Sequence, residues 1–410
     1  MNGRERLTAI FEKRPIDRPA LKLWGLKPDL VLLHPAYGPV CDLGMKVTDL
    51  VAGASSPTDT VLGIGGGRIV ETFVTQGMNG WEDVTSLIHT PMGDLKGVFR
   101  RSPDGTPGYD LEHPVKNESD LEALLSVPYE PFPLRMQNYV QMDEAVGDRG
   151  ICLYFLDNAV YAIHRSLGSE LFATLSVESP ELLERALSAY ARRIRLEAER
   201  VLDAGFKPIF GWVGPEVCIP PLMSPDHFER FVMQYDKPLC DLIHAHGSHV
   251  WLHCHGRVAT LMDRFISMGV DVLNPLEPPP MGNVNLSELT RRYGDTIGFE
   301  GNIETHDLWT ASPERMEELV VKAVADGSKS GRFILCPSAG FMEFPNPTDR
   351  YIENLMIYLR VGYREVTRLC CSTVISTTPC RMHGSMPDGF FDVPREDQTI
   401  YECLPEACSG

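Results

Sequence analysis

Two rhythms of hydrophobic and polar positions alternate along the chain from about residue 150. Short apolar runs stand at residues 151–156, 208–213, 248–254, 270–276, 296–299 and 332–336, each bounded by polar or turn-forming residues. Between them the apolar positions recur every three to four residues, the spacing of an amphipathic helix. The clearest case is 180–202, where Leu183, Leu187, Tyr190, Ile194, Ala198 and Leu202 make one stripe. Ser179-Pro180-Glu181, Ser224-Pro225-Asp226 and Ser312-Pro313-Glu314 each open a helical stretch. In such a triplet Ser can cap free amides, Pro fits the first turn and the acid favours the positive dipole end. Gly205 and Gly247 suit helix exits.

Strand and helix alternating at this spacing predict parallel strands with right-handed crossovers. With a further apolar run at 20–24, the pattern approaches eight units, and the fold expected is α/β, a (β/α)8 TIM barrel. A doubly wound sheet would carry a Gly-rich phosphate turn after its first strand. The cluster Gly65-Gly66-Gly67 lacks that spacing. Residues 65–115 change character, with scattered glycines among β-branched and aromatic runs, and read as a β-hairpin region inserted in the barrel. The expected domain is 1–365, followed by an irregular cysteine-rich tail at 366–410. In that tail Cys380-x-x-His383 and Cys403-x4-Cys408 form loose metal half-sites.

Composition narrows the partners. The 410 residues are 43% hydrophobic, enough for a large core, and carry a net charge of −18 from 38 basic and 56 acidic residues. Without a basic run, nucleic acid and anionic membrane are excluded as expected partners. The charged start Met1–Leu7 has no apolar signal core, and no stretch approaches about 18 apolar residues, so a cytoplasmic protein that spans no membrane is expected. Eleven cysteines in a long chain point to free thiols or metal ligands rather than a disulfide framework.

The chemistry gathers where barrel enzymes build their sites, at the C-terminal ends of the strands. Asp157, Glu216, His253, His255, Glu277, Glu300, Asn302 and Cys336 all stand at such ends. In Trp251-Leu252-His253-Cys254-His255-Gly256 alternate side chains share a face, so His253 and His255 converge and Cys254 points away. Two converging imidazoles begin a metal site, and catalytic zinc takes three protein ligands with a fourth position open. Cys336 or Glu277 would be the third ligand. Without metal, the same histidines would hydrogen-bond a substrate in a polar pocket.

These residues sit in a wider resemblance. Arg4-Glu5-Arg6 with Pro15-Ile16-Asp17-Arg18-Pro19, the stretches 180–205 and 224–247, Trp251–Gly256, Met268–Pro275, Leu286-Ser287-Glu288-Leu289, Gly301-Asn302-Ile303 and Phe333-Ile334-Leu335 resemble the uroporphyrinogen decarboxylase superfamily. Within it the chain is most similar to the branch of methylcobamide-dependent methyltransferases. The resemblance covers about 1–365 and is weakest between 55 and 115. It implies a zinc-dependent methyltransferase that moves a methyl group to or from a corrinoid (cobalamin) carrier. A small-molecule methyl donor or acceptor is implied, as is a corrinoid protein as partner; a homodimer would be the usual assembly. His253 and His255 would be metal ligands with Cys336 or Glu277. Glu216 and Asp157 would be catalytic, and Asn302 and Glu300 would bind the cofactor. Two departures stand out. His255 occupies the family's cysteine position in His-x-Cys, and Ala339 the position of a later cysteine. The alternative is a metal-free decarboxylase or lyase of the uroporphyrinogen decarboxylase type, acting on a carboxylated substrate. The early Arg-rich segment of that branch is missing around residues 25–60.

Overall fold

The computed structural model describes residues 1–32, 34–102, 107–340 and 346–373. Twelve strands form two sheets among these residues. They are β1 (Ala20–Leu21), β2 (Leu50–Ala54), β3 (Val70–Gln76), β4 (Glu82–Thr90), β5 (Gly93–Arg101) and β6 (Tyr109–Glu112) in the first part of the chain. The second part gives β7 (Gly150–Phe155), β8 (Ile209–Val213), β9 (His249–His253), β10 (Val272–Asn274), β11 (Gly298–Ile303) and β12 (Phe333–Pro337). Eight of them make one curled parallel sheet in the order β1-β12-β11-β10-β9-β8-β7-β2, with helices between successive strands, a TIM-barrel-like α/β fold. The other four, β3 to β6, form an antiparallel meander between β2 and β7.

Six apolar runs become β7 to β12 and the run at 20–24 becomes β1, each within a few residues of the expected bounds. β2 is the strand that periodicity does not announce. Its sequence, Leu50-Val51-Ala52-Gly53-Ala54, is short and mostly small. Gly53 is small for a reason: a Cβ there would stand 2.2 Å from the Phe155 ring. The stripe on 180–202 is realised in the helix Pro180–Asp203, which buries all six of its members. Of the three Ser-Pro-acid triplets, Ser224 and Ser312 accept amide hydrogens from His227 and Arg315. Ser179 does not cap its helix and turns to Glu118 instead. The helix Asp349–Thr373 continues past the domain boundary expected at 365 and includes Cys370 and Cys371. Cys380, His383, Cys403 and Cys408 lie outside the described residues.

Two features close the curled sheet. Its edge strands β1 and β2 meet at Asp49, whose N–H donates to the Leu21 carbonyl at 2.7 Å and whose Oδ2 accepts from the Leu21 N–H at 3.0 Å. Arg6 and Arg18 both donate to the same buried carboxylate. The second feature is the amino-terminal helix Gly3–Phe11, opened by an Asn2–Glu5 capping box. It packs Leu7, Ile10 and Phe11 against Ile151, Leu153, Trp251, Val272 and Ile334, the inward residues of the strands. The lower barrel is thus dry and filled. No helix among the described residues is long and apolar enough to cross a membrane.

Asp49 pairs with Arg6 and Arg18, and Arg6 is held by Asp17 as well. Asp49→Ala is expected to cost about 3 kcal/mol, the lower end for breaking a buried pair, because Arg18 loses its carboxylate while Arg6 keeps Asp17. Urea unfolding followed by circular dichroism checks this. A loss below about 1 kcal/mol would show that the closure does not depend on the carboxylate.

Candidate active site at the barrel mouth

Above the apolar floor the barrel interior turns polar. Lys22 follows β1 and Glu300 lies on β11, both almost wholly buried, with Nζ and Oε1 2.6 Å apart. Charges this deep survive only when their remaining hydrogen-bonding capacity is used. Glu300 Oε2 accepts from the Trp251 indole N–H at 2.9 Å, and Oε1 also accepts from Asn274 Nδ2 at 2.8 Å. The Lys22 ammonium lies over Trp24, 4.3 Å from the ring centre, and 5.2 Å from Trp251.

This network sets the protonation of His253. The ammonium facing Glu300 Oε1 makes that oxygen an acceptor, so Asn274 must turn its NH2 toward it. The Asn274 carbonyl oxygen is left facing His253 Nδ1 at 2.6 Å. Nδ1 therefore carries the hydrogen and donates, and Nε2 is left with a bare lone pair. Burial, aided by the charge of neighbouring His255, pulls the imidazole down to about 4, so His253 is neutral at physiological pH. Trp24 lies against its ring, 5.1 Å between centres.

His255 is held differently. Its ring stands edge-on to His253 at 4.5 Å between centres. Its Nδ1 faces Glu277 Oε1 at 2.7 Å, while Glu277 Oε2 accepts from the Gly256 N–H at 3.0 Å. Burial alone would lower the His255 pKa. The Glu277 hydrogen bond and charge, with Glu216 and Glu304 beyond, outweigh it and raise it. Glu277 is correspondingly lowered: burial would raise it, but the His255 hydrogen bond and charge win. Glu277 acts here as the orienting partner of an imidazole, as carboxylates do behind metal-ligating or base histidines.

Two further carboxyls complete this surround. Glu216 follows β8 in the turn Pro215–Cys218, where its Oε2 accepts from the Gly214 N–H at 3.1 Å; burial raises its pKa. Glu304 follows β11. Burial, then the negative charges of Glu277 and Asp307, push its carboxyl up to about 8, so it holds a proton at neutral pH. Its Oε1 is buried with no hydrogen-bond partner among the described residues.

The remaining expected residues fall elsewhere. Cys336 is fully buried with its thiol against Glu300, and burial drives its pKa far upward, so it is a neutral thiol beneath the mouth. Among the described residues no three His, Cys, Asp or Glu side chains are arranged to hold a metal ion. Glu300 is sealed inside the barrel, out of reach of a cofactor docking from outside. Asn302 donates its Nδ2 to the Leu276 carbonyl at 2.6 Å, tying β11 to the loop after β10. Asp157 faces Thr60, Asp59 and Arg165 beside the antiparallel sheet, and burial raises its pKa. Sequence reasoning passed over Lys22, Asn274 and Glu304. The signal for Lys22 was a lone cation in the apolar run Ala20-Leu21-Lys22-Leu23-Trp24, and for Glu304 an acid two residues past Asn302.

Comparison with known proteins bears on this geometry. Residues 156–349 match the family model for uroporphyrinogen decarboxylase, URO-D. The match covers a little under half of the chain. The matched stretch begins just after β7 and spans β8 to β12, and so includes both histidines and all three carboxyls around His255. A methyltransferase from Methanosarcina mazei shares the fold with a TM-score of 0.57 and 17% identity, over 89% of this chain and 99% of that one. A D-psicose 3-epimerase from Clostridium cellulolyticum H10 has a TM-score of 0.34 and 10% identity, over 57% of this chain and 83% of that one. No curated protein matches the chain in sequence.

The His253 environment has a measurable pH consequence. Its proton binds near 6.5 in the unfolded chain and near 4 in the folded one. Between those values the unfolded state holds more protons, so the stability that this residue contributes is present above pH 6.5 and is lost as pH falls toward 4. Nitrogen NMR of labelled protein should show His253 neutral, with hydrogen on Nδ1, at pH 6. A resonance titrating at or above 6.5 would refute the assignment.

Proposed function

We propose that this protein is a methyltransferase, exchanging a methyl group between a small molecule and a corrinoid carrier. The observation that carries this reading is the His253/His255 pair at the exit of β9, with an unprotonated Nε2 on His253. The likeness in fold along nearly the whole length of the Methanosarcina methyltransferase supports it.

Zinc is the metal that the family resemblance implies. A catalytic zinc takes three protein ligands, and the imidazoles of His253 and His255 have the right chemistry for two. The described residues add no third, so the donor set falls one ligand short of such a centre. A corrinoid would supply the methyl carrier; no described side chain identifies its seat.

What the chain's own residues do follows from their protonation. His253 Nε2 accepts a proton or orients the proton of an acceptor thiol. The Glu277 carboxylate fixes the His255 ring. Glu304 holds a proton that it can give to a group entering the mouth. A second reading, a carboxy-lyase, is favoured by Glu304 alone. When a substrate C–C bond breaks and carbon dioxide leaves, the electron pair stays on carbon, and a neutral buried carboxyl is placed to protonate it.

Methyl transfer from methylcobalamin to a thiol is the deciding assay, run on untagged protein beside metal analysis. His253→Ala/His255→Ala is expected to lose at least about 100-fold in rate with the fold intact. If wild type transfers no methyl group, with or without added zinc, but releases carbon dioxide from a carboxylated tetrapyrrole, the lyase reading replaces this one.

A further inference from the structure

A second cleft lies to the side of the barrel mouth, between the antiparallel sheet and the helix Ala159–Glu178, with a volume of about 350 Å³. Val84, Ile88, Val98 and Phe99 give it an apolar wall, and Tyr161 faces them from the helix. Its charged groups are Arg165, Asp110, Asp157 and Glu112. Glu112 is neutralised by Lys96 at 2.8 Å and Lys116 at 3.2 Å. Arg165 and Asp110 make no close salt bridge among the described residues, and the charge of Arg165 reaches Asp157.

The cleft is fixed in shape by backbone contacts. The helix breaks at Gly168, whose φ of +75° and contact with His113 admit only glycine; a Cβ would lie 2.4 Å from that imidazole. The break seats the Arg165 turn against the chain leaving β6. His113 Nδ1 reaches the Arg165 carbonyl at 3.0 Å, and the Val115 N–H donates to the Ser166 carbonyl at 3.1 Å. Gly97 keeps the sheet side open, since a Cβ there would press on Pro114 at 3.3 Å.

We propose that this cleft binds a free small zwitterion of the amino-acid class with a branched aliphatic body, its carboxylate on Arg165 and its ammonium between Asp110 and Asp157. A simple acid would satisfy the guanidinium and leave the two aspartates facing a second negative charge. A simple amine would do the reverse. A zwitterion matches both poles, and its hydrocarbon part takes the apolar wall out of water. This goes beyond the methyl-transfer reading and does not need it. The cleft abuts the mouth. Tyr161 packs so closely on Gly214 that a Cβ there would sit 2.4 Å from the Tyr161 Cβ, and Gly214 leads directly into Glu216.

Isothermal titration of the full chain tests the proposal with L-valine and its two halves, isovalerate and isobutylamine. L-Valine is expected to bind with a dissociation constant of about 1 mM or tighter, and each half at least about ten-fold more weakly. Arg165→Ala and Asp110→Asn, both exposed positions, should each weaken L-valine at least about ten-fold at unchanged melting temperature. The His253→Ala/His255→Ala protein should bind it as wild type does. No heat from L-valine, equal affinity for isovalerate, or loss of binding only in the histidine variant would overturn the assignment.

Discussion

The buried contact between Lys22 and Glu300 organises everything above it. Two full charges inside a barrel are costly, and the sequence offsets that cost by surrounding them with donors and ring faces that are themselves part of the site. Because each oxygen of Glu300 is committed, Asn274 has one permitted orientation. Because Asn274 has one orientation, His253 has one tautomer. A group on β11 thereby decides which nitrogen is reactive on β9, through side chains packed too tightly to rearrange independently. An apolar replacement of the pair could keep the barrel folded while freeing the imidazole to turn over, which gives a physical reason for such a pair to be there.

The mouth is built on a contrast between neighbours. His253 and His255 are two residues apart on one face, yet burial keeps the first neutral while Glu277 favours the charged form of the second. Burial, then the charges of Glu277 and Asp307, hold a proton on Glu304. One neutral base, one imidazole drawn toward its charged form and one neutral acid thus stand within electrostatic reach of one another, each defined by a different balance of desolvation and charge. Opposed environments for like groups are a usual means of running acid and base chemistry at one pH.

Much of this was legible in the sequence, and the limits are instructive. Period-two alternation brought His253 and His255 together, and their rings do meet, although β9 ends at His253 and His255 stands just beyond it. Helix stripes and apolar runs placed seven of the eight parallel strands. β2 escaped because Ala52, Gly53 and Ala54 carry too little apolar bulk to show a rhythm, and Gly53 is small to make room for Phe155, a demand that only the tertiary structure makes. Strand-end position gives the height of a residue in a barrel and not its bearing around the axis. Asp157 has the expected height but faces the antiparallel sheet. Cys336 and Glu300 point inward below the rim, and Glu277 spends its oxygens on a ring and an amide. Partner choice of this kind is set by which side chains arrive from other strands.

The amino-terminal helix has a consequence for traffic. By wedging Leu7, Ile10 and Phe11 into the base of the sheet it turns an open tube into a cup. Whatever reacts at the histidines enters and departs through one rim. Any reactant and its product must pass the same rim, so the order of arrival and release becomes a property of the architecture. A bulky second reactant can act as a stopper that shuts out water while the exchange takes place.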